Sequence, residues 1–246
     1  MPDPFTIYRQ HADQYERLVS YEDYEHQLPA ALSAIRSFER ADVVEWGAGT
    51  GRVSELIAPN ARSIIACDLN DHMLHLAAAK YRRFEHLKWQ TVVMDHRRAP
   101  LRDRVADISI AGWTLGYLGP SYCGDRWQEQ IRQAINQMQR VLRPVGTLII
   151  IETLGTGETV PTPPTDWLAE YYHFLEHQLD FHATSIRTDF KFDSLEQAAS
   201  LISFFFGGDW ADKVRHNNWI ILPECTGIWW KQAAEWYGVI KDKEYA

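Results

Sequence analysis

Three glycines at alternate positions, Gly47, Gly49 and Gly51, follow an acid at Glu45, and this spacing sets what the segment can do. Glycine tolerates positive φ and lets the backbone come close to a ligand. The apolar run Asp42-Val43-Val44-Glu45-Trp46 before them reads as a buried strand, and a helix is predicted from Arg52. The first amides of that helix and its positive dipole end therefore face the turn. An anionic group suits such a turn, whether a pyrophosphate or the carboxylate of an amino acid. Glu45 is placed to accept from an ammonium group. Asp68 closes the next predicted strand, where a carboxylate can take both hydroxyls of a ribose. Asp95-His96 follows the third, where an acid can accept from the amino group of an adenine.

Spacing separates two ligands. A dinucleotide fingerprint reads G-x-G-x-x-G, whereas this chain has G-x-G-x-G and carries Arg52 at the dinucleotide position. A nicotinamide dehydrogenase is disfavoured on that ground.

The elements that position these residues alternate. Strands are predicted at Asp42–Trp46, Ser63–Asp68, Trp89–Val93, Ala106–Ala111 and Thr147–Ile151, with a helix over Asp71–Tyr81. Trp127, Ile131, Ala134, Ile135, Met138, Val141 and Leu142 recur at three and four, giving one apolar helical stripe ended by Arg143-Pro144. Beyond Glu152 a Gly/Pro-rich loop leads to a helix over Thr165–Phe181. A strand over Ser185–Phe192, a helix over Ser194–Phe206 and a strand region over Ile220–Trp230 follow. Alternating strands that are apolar on both faces indicate an α/β fold with a mostly parallel sheet of seven strands and helices on both faces. One domain over 1–246 is expected, with 1–40 as a helical N-terminal cover, 41–155 around the glycine turn and 156–246 on the substrate side, including an inserted helical segment.

The runs Val43–Arg52, Cys67-Asp68, Met94-Asp95, Ala106–Trp113 and Arg140–Glu152 resemble the successive motifs of class I S-adenosylmethionine-dependent methyltransferases. Arg140-Val141-Leu142-Arg143-Pro144-Val145-Gly146-Thr147-Leu148 is similar to that family's helix-to-fifth-strand signature, with Val145 where a second glycine is common. The likeness covers residues 40 to 155 well and the rest loosely. It implies a Rossmann-like fold, S-adenosyl-L-methionine as cofactor and S-adenosyl-L-homocysteine as product. The cofactor-binding residues it implies are Glu45, Gly47, Ala48, Gly49, Gly51, Asp68, Leu69, Asp95, His96, Ala111 and Trp113. The family often adds an N-terminal aromatic over the methionine end, and Tyr15 is the candidate here.

In-line transfer from a sulfonium depends on orientation and exclusion of water, and needs a base only if the acceptor must lose a proton. Glu152, at the end of the fifth predicted strand, and Tyr117 are the catalytic candidates, with His96 also near. The Asn/Asp-Pro-Pro-Tyr segment that some members use for amino groups on bases and glutamine is absent, since Ala111-Gly112-Trp113-Thr114 stands there. A small-molecule oxygen, nitrogen or carbon acceptor is expected. The aromatic segments Trp113–Tyr117, Trp167–Phe174 and Trp229-Trp230 are candidates to close over it. Two alternatives share these motifs: another enzyme on the same scaffold, such as an aminopropyl transferase, and a non-catalytic binding module.

Composition bounds the partners. Aromatic residues make up 13% of the 246, enough to suggest an aromatic-walled cavity. The balance is acidic, with 25 Lys+Arg against 33 Asp+Glu, and no basic stripe marks a nucleic-acid binder. No apolar run is long enough to span a bilayer and no leader pattern is visible, so a cytoplasmic protein is expected. Cys67, Cys123 and Cys225 form no disulfide framework or CxxC pair. His173-Phe174-Leu175-Glu176-His177 matches H-x-x-E-H, a zinc-protease pattern. Helical geometry sets both histidines away from the apolar face of Leu168, Tyr171, Tyr172, Leu175 and Leu179, so no metal is expected.

Overall fold

The computed structural model describes residues 4–236; the ends of the expected domain, 1–3 and 237–246, lie outside the described residues. The chain runs α1 (Pro4–Gln10), α2 (Ala12–Val19), α3 (Gln27–Ile35), β1 (Asp42–Trp46), α4 (Arg52–Ile57), β2 (Ser63–Asp68), α5 (Asp71–Tyr81), β3 (Lys88–Val93) and β4 (Ala106–Gly112). It continues through α6 (Pro120–Cys123), α7 (Trp127–Arg140), β5 (Leu142–Thr156), α8 (Asp166–His177), β6 (His182–Arg187) and β7 (Phe190–Lys191). It closes with α9 (Leu195–Phe206), α10 (Gly208–His216), β8 (Ile221–Leu222) and β9 (Glu224–Gln232).

Seven strands form one sheet in the order β3-β2-β1-β4-β5-β9-β6. β1 pairs in parallel with both β2 and β4, and β9 is antiparallel to its neighbours β5 and β6. The fold is the expected Rossmann-like α/β sheet. Between β1 and β4 the strand order reverses, and ligands of open α/β sheets sit at the carboxyl ends there.

Alternation along β1 divides the core. Val43 packs with α3, α4 and α5 on one face, through Leu32, Ile57 and Leu74. Val44 and Trp46 face the α7 and α8 side, through Ile131, Met138 and Phe174. The Trp46 indole N–H donates to Ser109 Oγ at 2.8 Å, so the buried ring leaves no polar atom open. A third cluster joins Leu18 of α2 to Phe190, Ala198, Ile202, Val214 and Leu222, tying the N-terminal cover to α9 and α10.

Several boundaries differ from the sequence reading. β5 begins at Leu142, before Pro144, because the register with β4 shifts between Ala106 and Ile108. A proline without an N–H is tolerated where the ladder is already broken. The strand expected over Ser185–Phe192 is split: Arg187 grips Asp189 at 2.7 Å, and Phe190–Lys191 leaves the main sheet to pair with β8. Pro223 divides the Ile220–Trp230 region in the same way. α10 follows Gly207 and was not anticipated. Among the described residues no helix is long and apolar enough to cross a membrane.

Candidate active site

The glycine turn is built as its spacing requires. Gly47, Gly49 and Gly51 all have positive φ, at 68°, 53° and 84°. A Cβ at Gly47 would lie 2.2 Å from Thr114 Oγ1, so the bare turn backbone packs directly on the Thr114 side chain of the β4 loop. At Gly51 a Cβ would meet Ala77 Cβ and the Tyr81 hydroxyl, each at 3.0 Å. Gly51 thus lets α4 pack against α5. Asp68 ties turn to strand: Oδ2 accepts from Gly49 N and Oδ1 from Asn70 N, both at 2.8 Å. Glu45 is buried and accepts from the Ser54 hydroxyl. Burial, with Asp68 nearby, pushes its carboxyl from an ordinary 4.5 to about 8.

Above the turn opens a cavity of about 260 Å³. Most of the residues expected around a cofactor meet there: Tyr15, Glu45, Gly47, Ala48, Gly49, Asp68, Leu69, Asp95, His96 and Trp113. Gly51 and Ala111 stand apart. Gly51 has the packing role just described, and Ala111 is buried in β4 beneath a lining made by Gly112, Trp113 and Thr114. Asp95 is clasped by Arg97, whose backbone N and Nε both reach Oδ1 at 2.8 Å, and this holds its carboxyl down at about 2. His96 Nε2 lies 3.0 Å from Thr114 Oγ1, and burial lowers the imidazole pKa, favouring the neutral ring.

A second cavity of about 300 Å³ adjoins the first. Tyr8, Tyr15, Arg52, Trp113 and Tyr117 line both. Its far walls include Trp167, Phe205, Phe206 and three buried carboxylates, Glu22, Glu152 and Glu224. Gly116 N donates to Glu152 Oε1 at 3.1 Å, yet burial still raises the carboxyl to about 8. The Tyr117 hydroxyl lies 2.5 Å from that of Tyr8, and burial pushes it up to about 12. Of the aromatic segments expected to close over a substrate, Trp113, Tyr117 and Trp167 reach this cavity. Tyr171 and Trp229 are core residues, with the Trp229 indole donating to Glu176 Oε1 at 2.9 Å. His173 and His177 are exposed on α8.

Sequence reasoning missed Tyr8, Glu22, Arg52, Phe205, Phe206 and Glu224. Arg52 carried a signal, since it opens the helix after the last glycine. The others lie far from the motifs and reach the site only through the packing of α1, α2, α9 and β9.

A sequence-family model described as "Methyltransferase domain" matches residues 44–150, the stretch that builds the turn, Asp68 and the β4 wall. Over that stretch, less than half of the chain, the sequence is similar to methyltransferase domains. Among curated relatives, the chain is 28% identical over 158 residues to the malonyl-[acyl-carrier protein] O-methyltransferase of Salmonella typhimurium, covering 64% of this chain and 55% of that protein. It is 24% identical over 148 residues to the demethylmenaquinone methyltransferase of Tropheryma whipplei, covering 60% and 56%. The chain thus spans little more than half the length of these relatives. Among solved structures it resembles the N-methyltransferase NodS of Bradyrhizobium japonicum in complex with S-adenosyl-l-homocysteine. That likeness has a TM-score of 0.51 at 15% identity, over 89% of this chain and 97% of NodS, and it speaks for the fold.

The first cavity fits the family's cofactor in its unpaired polar atoms. Thr50 Oγ1, Arg52 Nη2 and His96 Nδ1 are buried without a hydrogen-bond partner, and all three residues line it. Buried polar atoms in native proteins are nearly always paired, so three orphans around one cavity point to a polar ligand.

Proposed function

We propose that the chain methylates a small-molecule acceptor held in the second cavity, using S-adenosylmethionine held in the first. The observation that carries this reading is the wall of five residues common to both cavities, Tyr8, Tyr15, Arg52, Trp113 and Tyr117. When bound, S-adenosylmethionine supplies a methyl group already activated on a sulfonium. The roles of the chain's residues follow from chemistry and placement. Asp68 retains lone pairs for ribose hydroxyls, Glu45 would take the ammonium, and Arg52 Nη2 the carboxylate of the methionine end. The turn backbone at Gly47 would lie against that end, while the Ala48 and Gly49 amides are already engaged by Cys67 O and Asp68 Oδ2. Leu69 and Met73 would flank the ribose, and Asp95 with His96 would meet the adenine end. Ala111 supports this wall from behind.

On the acceptor side, Glu152 is the group able to take up a proton at a carboxylate oxygen. Tyr117 keeps its proton at neutral pH and serves as a hydrogen-bond donor rather than a base. The aromatic walls exclude water and orient the acceptor, which is where transfer from an activated donor gains its rate. In this reading residues 41–155 form the cofactor half and 156–236 the substrate-side half of one domain, with 4–40 as a helical cover that reaches both cavities through Tyr8 and Tyr15. The two curated relatives are named for a carrier-bound malonyl group and a demethylmenaquinone, which supports small acceptors.

The test combines calorimetry with turnover. S-adenosylhomocysteine should bind, and mass spectrometry should find a product heavier by one methyl group in a panel of small aromatic amines, alcohols and acids. Failure of S-adenosylhomocysteine to bind the folded chain would sink the proposal.

A further inference from the structure

The second cavity combines aromatic walls with more carboxyl groups than cations. Arg52 is its only lining cation among the described residues, and Arg52 Nη1 is already paired with Glu22 Oε2 at 2.8 Å. Glu152 and Glu224 remain, both buried, and neither forms an ion pair among the described residues. Glu224 has one oxygen engaged, since Oε1 accepts from the Thr153 hydroxyl at 2.7 Å. Its other oxygen, Oε2, is buried with no hydrogen-bond partner, although the residue is only 3% exposed and lines the cavity. An orphaned buried carboxyl oxygen is costly unless a donor or a cation meets it. The walls add aromatic rings, which can stabilise a cation, from Trp167, Tyr15, Phe190, Phe205 and Phe206. An anionic acceptor would set like charge beside both carboxyls, and a neutral alcohol would bring no counter-charge against which Glu224 could ionise, whereas an ammonium brings one.

We infer that the acceptor is a primary or secondary amine that enters as its ammonium, anchored at Glu224 Oε2 and walled by the aromatic rings. This deepens the methyl-transfer reading and rests on it. The bound ammonium gives one proton to the Glu152 carboxylate, which exposes the nitrogen lone pair. That lone pair forms the new C–N bond as the donor's C–S bond breaks, the bonding electrons staying on sulfur as a neutral thioether. The product is again an ammonium, one methyl group larger, and the proton on Glu152 passes to solvent. Atoms and charge balance: one methyl is transferred and one proton is released.

The experiment uses benzylamine, phenethylamine and tryptamine against the matched alcohols (benzyl alcohol, 2-phenylethanol, tryptophol) and the acids phenylacetate and 3-phenylpropionate. Binding is read by calorimetry, with and without saturating S-adenosylhomocysteine. At least one ammonium should bind tenfold or more tighter than its alcohol. Glu224→Gln should erase that preference while changing alcohol binding less than twofold, which shows the cavity intact. Glu152→Gln should keep ammonium binding and lose at least tenfold in turnover. No ammonium preference anywhere in the series, or a preference that survives Glu224→Gln, overturns the inference. Methylated alcohols or acids without methylated amines would overturn it too while leaving methyl transfer standing. If S-adenosylhomocysteine fails to bind, the methyl-transfer reading falls, and the binding arm without it still decides whether the cavity selects ammonium.

Discussion

The Arg52 guanidinium carbon lies 4.0 Å from the centre of the Trp113 ring, and its Nη1 donates to Glu22 at 2.8 Å. One side chain thus joins the helix after the glycine turn, the loop after β4 and the N-terminal cover. Arg52→Ala should remove this joint and strand the Glu22 carboxylate in a buried setting. Breaking one partner of a buried pair costs about 3–5 kcal/mol. Urea unfolding should show a loss of that order, and Glu22→Gln in the same chain should recover most of it. Additive losses in the double variant would mean the pair is not coupled. Arg52→Lys keeps the charge but lacks the flat stacking face and fork, so it should recover only part.

Asp68 holds the turn as well as offering lone pairs to a ligand, so Asp68→Ala confounds folding with binding. Asp68→Asn is the better probe, because its amide oxygen can still accept from one of the two backbone donors, Gly49 N or Asn70 N. A hydrogen bond to a charged group contributes about 1.5–3 kcal/mol, so S-adenosylhomocysteine affinity should fall tenfold or more by calorimetry. Unchanged affinity in the folded variant would remove Asp68 from the cofactor site.

Gly51 carries both backbone strain and packing. Its φ of 84° and ψ of 30° place it in the left-handed region, and a Cβ there would meet Ala77 Cβ and the Tyr81 hydroxyl of α5 at 3.0 Å. Forcing a non-glycine residue into that region costs about 1–3 kcal/mol. Overpacking adds about another 1–3 kcal/mol. Gly51→Ala should therefore lower Tm by several degrees, read by calorimetry. An unchanged Tm would mean that α4 and α5 yield without effort.

What the sequence made legible and what it hid divide on a physical line. The turn, Asp68 and the strands of the parallel sheet are local: apolar runs, glycine spacing and strand ends sit within a few residues of one another. Tyr15 was found only because the family places an aromatic there. Glu22 and Glu224 are 202 positions apart in the chain and carry no pattern of their own. They share a cavity because α2, β9 and the α9–α10 cover converge on it, and such convergence is set by tertiary packing. Glu152 was visible for the opposite reason, since it ends an apolar run that could only be a buried strand.

Glu152 also fixes a pH dependence whose sign can be worked out. Burial raises its carboxyl from 4.5 to about 8, so the folded state holds a proton that the unfolded chain releases. The stability tied to the neutral form is complete below about pH 4.5 and is lost as pH rises towards 8, above which the loss is constant. Glu45 and Glu224 are raised to about 8 as well, so the whole chain should lose stability over the same window. Glu152→Gln never ionises. Its Tm relative to the parent chain should therefore rise between pH 5 and pH 9 and level off beyond about pH 8. Turnover should run the other way. Proton uptake needs the ionised carboxylate, so the parent's kcat should climb towards pH 8, while the Gln variant stays low and flat. A Tm gap that is constant across the range would mean that Glu152 is already ionised at neutral pH, and a kcat profile shared by both chains would remove it from the proton path.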